Sequence, residues 1–179
     1  MKLSTRARYT LRMMIDLARH SSVDTPVSLA AIASRADLSR GYLEQLATGL
    51  RRAGLLRGVA GRKGGYKLSR PASEISVGEL IDASIGPISL VDCVTDPSIC
   101  ERAPRCETRA LYCLVNTSIT RALAGLTLAD LLDPQWVAFH GGGTVEEACA
   151  LPEGRDPCTA PHGPRRGRRA KSKEPAPAD

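Results

Sequence analysis

Aromatic residues are scarce in this 179-residue chain: they make up 3% of it, with one Phe (Phe139) and one Trp (Trp136), both late in the sequence. Its core must therefore come from Leu, Ile, Val, Ala and Met, a composition that favours packed helices over a β-sandwich. Acidic residues are missing between Glu44 and Glu74, where Arg51, Arg52, Arg57, Arg62, Lys63, Lys67 and Arg70 fall. A solvated surface ordinarily mixes signs, so a stretch of one sign points to a polyanionic partner. Lys2, Arg6, Arg8 and Arg12 repeat the theme, within a formal net charge of +6. Also absent is an apolar run of membrane-spanning length, and Met1-Lys2-Leu3-Ser4-Thr5-Arg6 leads into an Arg-studded segment rather than the apolar stretch of a secretory signal. The expectation is a cytoplasmic protein with no membrane partner. In that compartment six cysteines are more readily reduced thiols, metal ligands or redox groups than structural disulfides.

The length allows one small domain with an appendage. From Ser4 to Arg19, Ala7, Leu11, Met14, Ile15 and Ala18 recur at helical spacing, predicting a first amphipathic helix. Ser28 is placed to cap a short second helix ending near Asp37, and Ser39 to cap a third from about Arg40 to Ala53, with Leu43, Leu46 and Leu50 inward and Gly54 closing it. Two short helices joined by a tight turn and followed by basic residues form the helix-turn-helix pattern. Leu55–Ala60 and Tyr66–Leu68 then read as two strands around the tip Gly61-Arg62-Lys63-Gly64-Gly65, which makes a wing. The tip lacks the Lys-Ser/Thr ending of a Walker loop, so a nucleotide site is disfavoured. Ser76-Val77-Gly78-Glu79 is a capping-box signature for a fourth helix, and Thr108–Leu123 a long fifth carrying Leu111, Val115, Ile119, Ala122 and Leu123. The wide apolar face of that long helix is expected to be a homodimer seam, because helix-turn-helix proteins commonly read two half-sites. Thr127 and Asp130 are expected to cap a last short helix ending before Pro134.

On this reading Ser39, Arg40, Tyr42, Glu44, Gln45 and Thr48 face base edges of double-stranded DNA. Gln45 suits adenine and Glu44 suits the cytosine amino group. Arg51 and Arg52 suit phosphates, and Arg62 and Lys63 of the wing suit a minor groove.

Cys93, Cys100 and Cys106 follow the wing as C-x6-C-x5-C, and Cys113 continues the series after six more residues. The close Cys pairs of structural zinc sites and the C-x-x-C of thioredoxin chemistry are both missing. Widely spaced thiolates suit an iron-sulfur cluster, with unligated redox-active thiols as the alternative. His20, His140 and His162 stand far from this loop in sequence, so no acid-base partner is assignable and no enzyme is expected. Cys149 and Cys158 fall in a Gly-, Pro- and Arg-rich segment whose composition predicts a disordered tail.

Several motifs in order, Met1–Tyr9, Tyr42-Leu43-Glu44-Gln45-Leu46, Leu50–Leu55, Gly64-Gly65-Tyr66, Ile75–Glu79 and Leu126–Leu131, closely resemble the Rrf-two family of winged-helix transcription regulators. The resemblance implies a mainly α fold with a small β-wing, a winged helix-turn-helix domain plus a long dimerisation helix, and an operator-binding homodimer. It divides the chain into a DNA-binding domain over 1–84, a cluster-binding loop over 85–107, a dimerisation helix and short helix over 108–139, and a basic tail over 140–179. It also implies a 2Fe-2S or 4Fe-4S cluster on Cys93, Cys100 and Cys106. Cluster-bearing relatives supply a His three residues past the third Cys, where this chain has Arg109, or a carboxylate from the partner's first helix, where it has Arg8. An Arg is a very poor ligand. The fourth position is thereby left to Cys113, to Glu107 or to an iron open to a small molecule. The signal expected is cluster status, iron, redox state or nitric oxide. The alternative is a cluster-free, thiol-controlled or metabolic-enzyme-controlled repressor of cysteine and sulfur metabolism.

Overall fold

The computed structural model describes residues 4–21 and 25–141. Helix α1 (Thr5–His20) begins where the Ser4 hydroxyl accepts from the Ala7 N–H at 3.2 Å. Its inward residues are Ala7, Thr10, Met13, Met14 and Leu17, while Leu11, Ile15 and Ala18 are only partly covered. The centre of the buried stripe is therefore rotated from the one the apolar residues alone suggest, because a second layer of elements covers the Met13 side. Helix α2 (Leu29–Ala36) is capped by Ser28 and stopped by Asp37 at φ 53, a left-handed conformation that Asp tolerates better than most residues. Ser39 caps α3 (Arg40–Arg52), and Gly54 at φ 70 turns the chain out of it.

Strands β1 (Leu56–Val59) and β2 (Gly65–Leu68) pair antiparallel, Leu56 opposite Leu68 and Val59 opposite Gly65. The tip closes with the Gly64 N–H donating to the Gly61 carbonyl at 2.9 Å. The wing is anchored near its tip by reciprocal bonds between Val27 and Tyr66, at 3.0 and 2.8 Å. Gly65 makes this approach possible, since a Cβ there would lie 2.4 Å from the Val27 carbonyl oxygen.

Helix α4 (Val77–Ile85) opens on the expected capping box: the Ser76 hydroxyl accepts from the Glu79 N–H, and the Glu79 carboxylate accepts from the Ser76 N–H at 2.9 Å. Met13, Met14, Leu17, Ile32, Leu43, Leu50, Ile75, Leu80 and Leu128 form one core, each removed from water almost completely. Burying a side chain of this size contributes about 1.5–3 kcal/mol.

Past α4 the short helix α5 (Asp92–Thr95) and two 3-10 turns, Pro97–Ile99 and Ala103–Arg105, lead into α6 (Glu107–Ala124). No residue of α6 is buried, and Leu111, Tyr112, Leu114 and Val115 are exposed. The face of α6 that meets the rest of the chain is instead Cys106, Arg109, Cys113, Asn116, Ile119 and Leu123, all half-buried. The apolar stripe read from the sequence and the packed stripe are thus different faces, sharing Ile119 and Leu123.

Beyond α6, the Val77 N–H donates to the Leu126 carbonyl and the Leu128 N–H to the Ile75 carbonyl, at 2.8 Å each. A single 3-10 turn, Asp130–Leu132, stands where a last capped helix was expected, with Thr127 and Asp130 bonded to each other. The chain does not stop at Pro134: that residue begins α7 (Pro134–Gly141), a position proline favours because its missing N–H has no partner to lose. The boundary expected at residue 140 consequently falls inside a helix. Lys2, Cys149, Cys158 and the basic tail lie outside the described residues. Among the described residues no helix is long and apolar enough to cross a membrane.

Two measurements check this arrangement. Gly65→Ala is expected to break the Val27–Tyr66 bridge and lower unfolding stability in urea by about 2 kcal/mol. The Ser76 N–H and the Arg70 guanidinium hold the Glu79 carboxyl below its ordinary pKa, so its stabilisation is present above the ordinary carboxylate range and is lost as pH falls through the lower folded value. Glu79→Gln is expected to flatten the acid side of a Tm-against-pH curve.

Candidate nucleic-acid interface and cysteine loop

The amphipathic pattern of α3 turns Leu43, Leu46, Ala47 and Leu50 into the core and leaves Ser39, Arg40, Glu44, Gln45, Thr48, Arg51 and Arg52 exposed on the far side. Tyr42 differs from the expected reader: it is half-buried, meeting Tyr9 of α1 edge to face with ring centroids 5.9 Å apart. Arg8 and Arg12 lie over that Tyr9 ring at 5.0 and 5.8 Å. Arg40 Nε donates to Glu44 Oε1 at 3.0 Å, and Thr48 Oγ1 to the Glu44 carbonyl at 2.8 Å. Two of the expected base readers are therefore paired to each other in the free protein. Both are well exposed, and a solvated pair of this kind is weak enough to exchange for a base edge.

Arg62 and Lys63 occupy the exposed wing tip, between Gly61 at φ 112 and Gly64. A concavity between the wing and α2 is lined by His20, Ser28, Arg35, Arg62 and Lys63. Arg35 is already engaged there, forked onto Asp16 of α1 with Nε–Oδ1 2.8 Å and Nη2–Oδ2 2.7 Å. That fork fixes α2 against α1 and so sets the angle at which α3 is presented.

The cysteine loop wraps the start of α6. Cys93 is half-buried in α5, Cys100 is exposed, and Cys106 is half-buried as the N-cap of α6, where its Sγ accepts from the Arg109 N–H at 3.3 Å. Cys113 is half-buried on α6, two turns beyond Cys106 on the packed face. Glu107 is the exposed first residue of α6. All four described cysteines are free thiols. Their chemistry suits an iron-sulfur cluster, being sulfur donors without a zinc-type pair. Their geometry does not yet gather them: among the described residues no three His, Cys, Asp or Glu side chains surround a common point.

Spacing in the sequence separated the exposed residues of α3 from the core but passed over three features. The Arg40–Glu44 pair has the i, i+4 spacing that could have announced it. The Tyr9–Tyr42 contact joins two helices and has no local signal. Arg109, notable in the sequence only as a missing ligand, donates through Nε to the Cys93 carbonyl at 2.7 Å.

Comparison with known proteins agrees with this architecture. The model of the Rrf2 family, described as "Iron-dependent Transcriptional regulator", matches residues 3–134. The HTH-type transcriptional regulator IscR of Photorhabdus laumondii is 37% identical over 155 residues, covering 87% of this chain and 93% of that relative. Among solved structures, CymR (YrzC), the global cysteine regulator of B. subtilis, is 38% identical with a TM-score of 0.61, over 74% of this chain and 96% of that one. The structure of T. potens IscR is 38% identical with a TM-score of 0.60, over 74% and 86% respectively.

Replacing both wing cations, Arg62→Ala with Lys63→Ala, is expected to lower DNA affinity for all sequences alike. It should also reduce the slope of log affinity against log salt by about 2, the signature of two lost phosphate contacts. Fluorescence anisotropy across a salt series reads both effects, and an unchanged slope would remove the wing tip from the interface.

Proposed function

We propose that this chain, which belongs to the Rrf2 family of transcriptional regulators, binds a double-stranded DNA operator as a cytoplasmic homodimer and adjusts that binding through an iron-sulfur cluster on Cys93, Cys100 and Cys106. As a family member it is a transcriptional regulator rather than an enzyme. In this reading the exposed residues of α3 contact base edges and the wing contacts a groove beside them. The exposed Leu111, Tyr112, Leu114 and Val115 of α6 supply the dimer seam, which a second copy removes from water.

The observation that carries the sensing half is the position of the loop. Cys93 lies in α5, eight residues past the end of α4, and Cys106 caps α6 at one end while the segment after its other end is hydrogen-bonded to Ile75 and Val77 at the start of α4. A change of loop conformation therefore pushes on both helices that brace the DNA-binding body. Such a change alters DNA affinity only by stabilising one arrangement over the other. When bound, the cluster would supply a redox-active or ligand-accepting centre; the chain's own residues hold the thiols and transmit their displacement. The fourth position falls to Cys113, to Glu107 or to no protein group.

A second reading, a cluster-free regulator controlled by thiol oxidation or by a metabolic enzyme, is favoured by one observation. The chain is as similar to CymR, described as a cysteine regulator, as it is to T. potens IscR. Iron and sulfide content of anaerobically purified protein separates the two readings.

Cys93→Ala, Cys100→Ala and Cys106→Ala are each expected to abolish the visible absorption of the anaerobic protein and change operator affinity by about tenfold, within the range of ordinary allosteric coupling. Equal operator affinity with and without iron and sulfide, at every sequence tried, would overturn the sensor.

A further inference from the structure

We infer that Arg109 is a positioning residue of the cysteine loop, holding Cys93 against the start of α6 before any metal binds. This rests on the proposed reading of that loop as a cluster site. Two bonds of different kinds meet on this residue. Its backbone N–H donates to Cys106 Sγ at 3.3 Å, and its side-chain Nε donates to the Cys93 carbonyl at 2.7 Å, both in part-buried surroundings. Among the described residues no other hydrogen bond joins α5 to α6. Cys100, by contrast, is exposed on the connecting 3-10 turns.

An arginine cannot ligate, since its guanidinium keeps its charge and offers donors only. It can nevertheless fix a carbonyl, and through that carbonyl the residue that carries it. With the clasp closed, two of the three candidate thiols are tied to one short segment, and the flexible search is confined to Cys100. Ordering two ligands in advance removes part of the entropy cost of assembling three. Arg109 thus serves the site without occupying its fourth position.

The two bonds separate in an experiment, because substitution removes the side chain and leaves the backbone N–H. Metal-free, anaerobic, full-length protein is pulse-alkylated with iodoacetamide, and each cysteine is followed by peptide mass spectrometry. Arg109→Ala is expected to raise the rate at Cys93 roughly fivefold, the size of one lost hydrogen bond, while Cys106 and Cys113 keep the wild-type rate. Arg109→Lys, which retains a charged donor, should fall between the two and lie closer to wild type. An unchanged Cys93 rate in Arg109→Ala, or an equal rise at all cysteines that marks general loosening, overturns the inference.

Reconstitution with ferrous iron and sulfide distinguishes this inference from the reading beneath it. Arg109→Ala is expected to need about tenfold more iron for half-occupancy, with Arg109→Lys intermediate. Equal iron dependence in all three proteins overturns the positioning role even where Cys93 reactivity changes. A wild-type protein that forms no cluster, yet protects Cys93 through Arg109, overturns the cluster reading alone and leaves the clasp as the organiser of a thiol.

Discussion

The short backbone pairing between residues 75–77 and 126–128 is the constraint on which the rest of the molecule depends. Val77 bonds to Leu126 and Ile75 to Leu128, and the side chains of Ile75 and Leu128 are sealed in the core. Helix α6 has no fully buried residue of its own, so this pairing anchors its C-terminal end while its half-buried side rests on α4 and α5. Gly78 lies beside this junction, where a Cβ would be in ordinary contact with the Ala124 backbone, 3.5 Å away. The C-terminal end of α6 is therefore attached to the segment that leaves the wing, and its N-terminal end to the cysteine loop.

That geometry explains why a loop remote in sequence from α3 can matter to it. Helix α4 packs on α1 more extensively than on any other element, and α1 in turn holds α2 through the Asp16–Arg35 fork and α3 through Tyr9 and Tyr42. Each link is a packed or charged contact of rigid elements, which transmits a displacement instead of absorbing it. Charge follows the same division. The wing tip and the outer side of α3 carry exposed cations, whereas Arg109 in the first turn of α6 donates to the Cys93 carbonyl.

Much of the fold was legible because local chemistry dictated it. Ser4, Ser28, Ser39 and Ser76 each accept the N–H three residues on, so the starts of four helices stand where short polar residues precede apolar periodicity. The glycines around Arg62 and Lys63 announced a tight turn, and the absence of acidic residues between Glu44 and Glu74 pointed to a polyanionic partner. The candidate cysteines were likewise visible by spacing. Less legible was whatever depended on a neighbour from elsewhere in the chain. The packed face of α6 runs through Cys113 and Asn116, against the apolar count, because α4 and α5 meet that side.

The helix-turn-helix and wing, the side of α3 that stays exposed and the cysteines available for coordination each follow from hydrogen-bonding capacity and periodicity within a few residues. Contacts between elements remote in sequence turn Tyr42 inward and carry Arg109 back sixteen positions to Cys93. The physical reason is range. A cap or a turn is settled by neighbours along the chain, whereas the partner of an arginine that cannot ligate is settled by whichever carbonyl the fold brings within 2.7 Å.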